Sequence, residues 1–198
     1  MEPSGYKRLV FCTPIHMYKV LEKVRDFADA AHGEQRRKYT PERYIVHPVR
    51  VMEICGRYSH SIPLLAAALL HDVLEDTPAT REEIYSFLKT IMAQDEAHAC
   101  IEMVVELTDV YTKDAFPQWN RRVRKEKEAE RISRSSPGAQ TIKYADIIDN
   151  CREIVQYDRQ FGPKFLRECR QLLGVMLAGN RELYQLALQT VQKELAAI

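Results

Sequence analysis

The sequence predicts an all-α chain, and three observations carry that expectation. Apolar residues recur at spacings of three and four along nearly every segment, and no stretch alternates strictly as a half-buried strand would. Seven glycines and nine prolines in 198 residues are too few for the turns of a loop-rich β fold. Several prolines and small polar residues also stand where helices begin.

Thr13-Pro14 has the form of an N-cap followed by proline at N1. It opens a first helix with Val20, Val24, Phe27, Ala28 and Ala31 as its stripe. A polar, basic stretch over 33–43 precedes Tyr44-Ile45-Val46-His47. Pro48 then opens a second helix with Val51, Ile54, Cys55 and Tyr58 on one side. A third starts at Pro63 and is apolar all round to Leu70, as expected for a helix at the centre of a bundle. Thr80 and Glu83 stand at capping-box spacing and open a fourth. A fifth holds Ile101, Val104, Val105 and Thr108. Residues 112–134 are the least regular, with Phe116-Pro117-Gln118-Trp119 ahead of a charged run. Ser136-Pro137 caps a long helix carrying Ile142, Asp146, Asn150 and Ile154. Two closing helices follow, one from about Pro163 and one capped by Asn180. About nine helices with short connections, no repeat and no linker predict one compact domain over 1–198.

Composition bounds the function. With 45% apolar and 29% charged residues the chain is neither disordered nor fibrous. Basic and acidic residues number 29 and 28, a net charge of +1. That balance argues against a chain built to coat a polynucleotide or an anionic membrane. Cys12, Cys55, Cys100, Cys151 and Cys169 are scattered and form no C-x-x-C pair, so neither a zinc knuckle nor a redox dithiol is signalled. Each reads as a small buried hydrophobe in a reducing, cytoplasmic setting. The longest apolar stretch, 62–70, falls far short of the ~20 residues of a membrane span. Leu9 to Cys12 is too short for a signal-peptide core.

The most informative stretch is Leu69-Leu70-His71-Asp72-Val73-Leu74-Glu75-Asp76. Here an apolar helix ends in four ionisable side chains within six residues. Positions 71 and 75, and 72 and 76, lie one helical turn apart. Three carboxylates this close repel strongly in a low-dielectric site unless a cation sits among them. His71 and Asp72 offer an imidazole nitrogen and a carboxylate oxygen to one ion, with Glu75 and Asp76 near enough to handle a water beside it. A salt-bridged helix C-terminus is the alternative, and the helix dipole disfavours acids there. Taken singly, His47 reads equally as a capping or packing histidine, and Asp146 as a buried, hydrogen-bonded carboxylate.

Together, His47, His71-Asp72 and Asp146 form the H…HD…D pattern, and the chain resembles the HD-domain metal-dependent phosphohydrolases. The likeness is closer to the hydrolase domain of the Rel/SpoT alarmone enzymes. It rests on Gln35-Arg36-Arg37-Lys38, Tyr44-Ile45-Val46-His47-Pro48, Ala67 to Thr77, Leu107-Thr108-Asp109, Ser136-Pro137-Gly138-Ala139 and Lys143-Tyr144-Ala145-Asp146 through Asn150. These motifs run in order over about 27–155, with closing helices over 156–198. No synthetase-like segment follows, so the chain is similar to the stand-alone small alarmone hydrolases.

The resemblance implies a compact HD-domain bundle in which His47, His71, Asp72 and Asp146 hold one Mn²⁺ or another divalent first-row ion, a donor set that suits such metals. It implies that Glu75 and Asp76 are the catalytic acids, and that Arg37, Lys38 and Asn150 contact the nucleotide. The implied reaction is hydrolysis of guanosine 3′,5′-bis(diphosphate) at the 3′ position, releasing pyrophosphate. The partner expected is thus a small nucleotide rather than a polynucleotide or a membrane. Val46, Tyr39 and Glu153 depart from the family pattern, at positions where asparagine, aspartate and threonine are common. Alternatives are an HD phosphohydrolase acting on another nucleotide (an adenosine analogue, or the 2′-phosphate of NADPH) and a nucleotide sensor with a vestigial site. The run 121–131, with six basic and three acidic residues, reads as a solvated helical face with pairs such as Arg122–Glu126 and Arg124–Glu128, or as a flap whose arginines meet substrate phosphates.

Overall fold

The computed structural model describes residues 14–197; Cys12 and the expected N-cap Thr13 lie outside the described residues. Ten helical segments make up the fold: α1 (Pro14–His32), α2 (Val46–Gly56), α3 (Ile62–Leu70), α4 (Val73–Asp76), α5 (Arg81–Leu88), α6 (Gln94–Leu107), α7 (Arg121–Ile132), α8 (Pro137–Tyr157), α9 (Gly162–Leu173) and α10 (Arg181–Ala196). Among the described residues the only extended pairing is an isolated bridge between Arg36 and Arg43. No helix among them is long and apolar enough to cross a membrane.

The helix apolar all round is the centre of the fold. Eight of the nine residues of α3 are buried, and the helix packs on α1, α2, α6 and α8. Burying a full apolar side chain contributes about 1.5–3 kcal/mol. A helix without a polar face therefore belongs where neighbours cover every side. The long α8 lies beside it and against α2, α9 and α10. Its Tyr144 is fully buried and donates to the Met176 carbonyl at 2.7 Å, tying α8 to the segment before α10.

Three helix starts carry the side-chain caps the sequence predicts. Thr80 and Glu83 form a reciprocal capping box on α5. Ser136 Oγ accepts the Ala139 amide, and Asn180 Oδ1 accepts that of Leu183. Two boundaries differ from the sequence expectation. First, α2 begins at Val46 rather than at Pro48, which places His47 inside its first turn. Proline in a first turn sacrifices no hydrogen bond, so Pro48 is compatible with that earlier start without marking it. Second, the helix ending in charge is interrupted: α3 stops at Leu70, and a single turn, α4, starts at Val73. The break turns Asp72 into the residue that precedes α4, and its carbonyl accepts the amides of Glu75 and Asp76.

The 112–134 region resolves into a loop and a helix. Tyr111, Phe116 and Trp119 stack on one another, with Phe116 and Trp119 centroids 4.6 Å apart. Asn120 caps α7 through the Val123 amide. On α7, Arg131 donates to the carbonyls of Glu106 and Thr108, so a late basic residue of one helix satisfies orphan carbonyls at the end of α6. Arg122–Glu126 forms at 3.7 Å. Glu128 instead turns inward, accepting the amides of Val110 and Tyr111 and pairing with Arg131. Its expected partner Arg124 reaches back to the Trp119 carbonyl.

Candidate metal centre and active site

Both histidines are oriented by their outer nitrogens. His71 Nδ1 lies 2.9 Å from the Ala68 carbonyl, which can only accept, so Nδ1 carries the proton and donates. His47 Nδ1 lies 2.7 Å from Asp149 Oδ2, again an acceptor. In the neutral rings both Nε2 lone pairs therefore face inward, the usual arrangement of metal-binding histidines. They meet carboxylates there. His47 Nε2 is 3.2 Å from Asp146 Oδ1 and 3.6 Å from Asp72 Oδ2, and His71 Nε2 is 3.0 Å from Asp72 Oδ2. Ligand atoms of His47, His71 and Asp72 all lie within 4.8 Å of one another.

This convergence passes the physical test for a cation. The Nε2 of His71 is buried and has no hydrogen-bond partner. Acceptors crowded in this way need positive charge between them. Without an ion, protons must supply it. Burial pulls His71 down, but Asp72 and Asp146 overcome it and lift its pKa to about 10. His47 is likewise raised, burial being outweighed by Asp146 and Asp149. In return the histidines hold Asp72 below the usual carboxylate range despite its burial, and Lys143 with both rings does the same for Asp146. Two imidazole nitrogens and two carboxylate oxygens make a borderline-hard donor set suited to a divalent first-row metal.

A second ring of residues holds the donors. Asp146, in the middle of α8, accepts from Asn150 Nδ2 at 2.6 Å and pairs with Lys143 at 2.8 Å. Tyr44 donates to Asp72 Oδ2 at 2.7 Å. Arg50 Nε donates to Asp149 Oδ1 at 2.8 Å, fixing the carboxylate that fixes His47. Asp149, Tyr44, Arg50 and Lys143 were not legible as site residues from spacing. Asp149 has one late signal: it stands on the same helix as Asp146, directly after Ile147-Ile148, and is buried.

The remaining predicted residues border this centre. Glu75 Oε2 accepts the Asp109 amide at 3.2 Å. Although Glu75 keeps solvent contact, the surrounding protein and the Asp109 carboxylate push its carboxyl up to about 7. Asp76 Oδ2 accepts from Gln35 Nε2 at 3.3 Å. Arg37 donates to Glu153 Oε2 through Nε at 2.9 Å and to Asn150 Oδ1 at 3.2 Å, with its guanidinium over the Tyr44 ring. It is a buried, ion-paired arginine. Lys38 is set apart from it, exposed beside Tyr39 and Asp158. Of the three departures, Tyr39 donates to Asp158 and Glu153 supplies the partner of Arg37.

A cavity of about 570 Å³ opens beside Asp146; His47, His71, Asp72, Glu75, Asp76, Arg37 and Lys38 are not among the residues that line it. Asp146, Lys143 and Asn150 form one wall, and α7 and α9 form the others, contributing Arg121, Lys125, Phe165 and Leu172. Its size suits a nucleotide. Arg121 is bound bidentately to Glu168, and Lys125 to Asp109 at 2.8 Å. The charged run is thus both a solvated face and, through two of its cations, a cavity wall.

Comparison with known proteins agrees with this arrangement. The HD domain family model matches residues 44–151. The mouse protein named guanosine-3′,5′-bis(diphosphate) 3′-pyrophosphohydrolase MESH1 is 36% identical over 138 residues, 68% of this chain and 69% of that protein. A guanosine-3′,5′-bis(diphosphate) 3′-pyrophosphohydrolase of Aquifex aeolicus is 41% identical over 78 residues, 39% of this chain and 11% of that protein. A solved structure of a metazoan SpoT ortholog, described as hydrolysing ppGpp, shares the fold with a TM-score of 0.70 over 98% of this chain and 99% of that one, at 24% identity. The family match spans the segment from Tyr44, which touches Asp72, to Cys151, just past Asn150, and so takes in His47, His71, Asp72 and Asp146: the chain belongs to the HD-domain family.

Proposed function

We propose that this protein hydrolyses guanosine 3′,5′-bis(diphosphate) at the 3′ position, with Mn²⁺ as its metal. The observation that carries this reading is the placement of a nucleotide-sized cavity directly against Asp146, Lys143 and Asn150. The names of the relatives supply the substrate class. His47, His71, Asp72 and Asp146 would hold the metal. When bound, the ion supplies Lewis acidity to a phosphoryl oxygen and to water.

The chain's own residues account for the rest. Glu75, poised near neutrality, takes a proton from the attacking water; a base works best when its pKa lies near the working pH. Water adds at the phosphorus next to the ribose 3′-oxygen, the P–O3′ bond breaks, pyrophosphate departs and the 3′-oxygen takes up a proton. Asp76, on the same turn, orients the water. Asn150, one turn along α8 from Asp146, meets the nucleoside, with Arg37 behind it through its bond to Asn150, and Lys38 is exposed beside Tyr39. Six carboxylates and three cations line the cavity. The diphosphate would be met by Arg121 and Lys125, released from Glu168 and Asp109.

A substrate panel in Mn²⁺, with pyrophosphate and orthophosphate assayed separately, tests the reading. Pyrophosphate from guanosine tetraphosphate is expected. Orthophosphate alone, or turnover only of the adenosine analogue or of NADPH, would refute the substrate assignment.

A further inference from the structure

Beneath the acidic pair lies a histidine that the chemistry above does not use. His32 is the last residue of α1, 6% exposed, and its Nε2 is buried without a hydrogen-bond partner. Its Nδ1 lies 2.8 Å from Gln35 Oε1, and Gln35 Nε2 donates to Asp76 Oδ2 at 3.3 Å. Its ring packs on Tyr44 with centroids 4.5 Å apart, and Tyr44 donates to Asp72 and also interacts with Asp76.

The chain between 32 and 44 is shaped to deliver this contact. Gly33, at φ +55°, reverses the chain immediately after His32, a conformation that costs other residues about 1–2 kcal/mol. The Gln35 amide then bonds the His32 carbonyl at 3.0 Å, and the Gln35 carbonyl accepts from Tyr44 at 2.9 Å. Arg43 clamps the turn through the Gly33 carbonyl and Asp29. Gln35 is thereby held on both sides of its own backbone, between His32 and Asp76.

Donor and acceptor roles along this line follow from one end. An Asp76 carboxylate offers only acceptors, so the Gln35 NH₂ must face it. The amide oxygen then faces His32, and His32 Nδ1 must carry a proton. A neutral ring protonated at Nδ1 leaves Nε2 as a bare lone pair, which matches the partnerless buried nitrogen.

We propose that His32 and Gln35 are positioning residues for Asp76. His32 fixes which way the Gln35 amide points, and Gln35 holds the Asp76 carboxylate toward the water while Tyr44, packed on the same ring, holds Asp72. The inference rests on the reading above, in which Asp76 handles the attacking water.

Two measurements on the full-length, metal-loaded protein test it. The first needs no substrate: long-range ¹⁵N NMR of the His32 ring, with diamagnetic Mg²⁺ loaded in place of Mn²⁺, whose unpaired electrons would broaden a ring this near the centre. The expected form is neutral and protonated at Nδ1, shifting toward Nε2–H in Gln35→Leu. An Nε2–H or doubly protonated His32 in the wild type overturns the proposal. The second is kinetic, on whichever nucleotide of the panel turns over. Gln35→Glu keeps the shape but removes the donor, and Gln35→Leu removes it without adding charge. Each should lower kcat about 10–100-fold with KM and metal content unchanged, as expected of residues that support a site from behind. His32→Phe keeps the packing on Tyr44 and should lose less. The double variant should be no slower than Gln35→Leu alone, because both act through one carboxylate. Wild-type kcat in Gln35→Glu, or additive losses in the double variant, overturns the proposal. If the wild type is inert on guanosine tetraphosphate, the substrate assignment fails, while the tautomer still decides the placement.

Discussion

At His47 and His71 the outer ring nitrogen is committed to an acceptor, and that commitment aims the inner nitrogen at Asp72 and Asp146. Asp149 is therefore expected to matter almost as much as a ligand. Asp149→Ala should weaken metal affinity about 10–100-fold, read as metal content after dialysis against a graded chelator. Glu75 governs the pH response. If it accepts the proton, kcat/KM should fall as pH drops through about 7. Asp109→Asn removes the like charge beside it, which stabilises the carboxylate and should move that limb to lower pH; an unmoved limb would assign it to another group. The stability sign is the reverse. A carboxyl raised in the folded state favours folding below its unfolded value and loses that contribution as pH rises toward 7. Glu75→Gln should then stabilise the protein at pH 8 but not at pH 4. With solvent screening the gain is about 1 kcal/mol, or about 2–4 °C in Tm. At this scale His71, Asp72, Glu75 and Asp76 were legible because four ionisable groups closing an apolar helix are hard to explain otherwise. Asp149 and Gln35 were not, since their importance lies in contacts made 102 and 41 residues away.

Among the elements, α3 and α8 could be read directly, one from its unbroken apolar run and the other from Ser136-Pro137. Their caps are testable in isolation. Ser136 both caps α8 and donates its hydroxyl to Glu106 at 2.5 Å, so Ser136→Ala should lower stability by about 1–2 kcal/mol in a denaturant titration. For α7 the helix was legible from its i,i+4 charge pairs but its orientation was hidden. Its sequence is polar on nearly every face, with Glu128 and Ile132 its only buried residues, so hydrophobic period could not reveal which side faced the cavity. The break between α3 and α4 was hidden for a related reason: Val73 and Leu74 continue the apolar pattern across it. Because Arg121 faces the cavity beside Glu168, Arg121→Ala should raise KM about tenfold with little change in kcat, checked by steady-state kinetics at fixed ionic strength.

Across the whole molecule, a near-neutral net charge conceals a sorted one. Acids and imidazoles converge between α2, α3 and α8, and the paired cations of α7 stand across the cavity. Crossing three elements, such a centre should couple metal binding to global stability. Loading the metal to about 100 times its dissociation constant contributes about 2.7 kcal/mol. Chelation should accordingly lower Tm by about 5–10 °C. The most direct measurement is ³¹P NMR, recorded after quenching with excess EDTA, of guanosine tetraphosphate incubated with the chelated protein before and after Mn²⁺ is restored. Stoichiometric pyrophosphate appearing only with the metal, and lost in Asp146→Ala, is the expected result. Orthophosphate as the sole product, or undiminished turnover by Asp146→Ala, would contradict it.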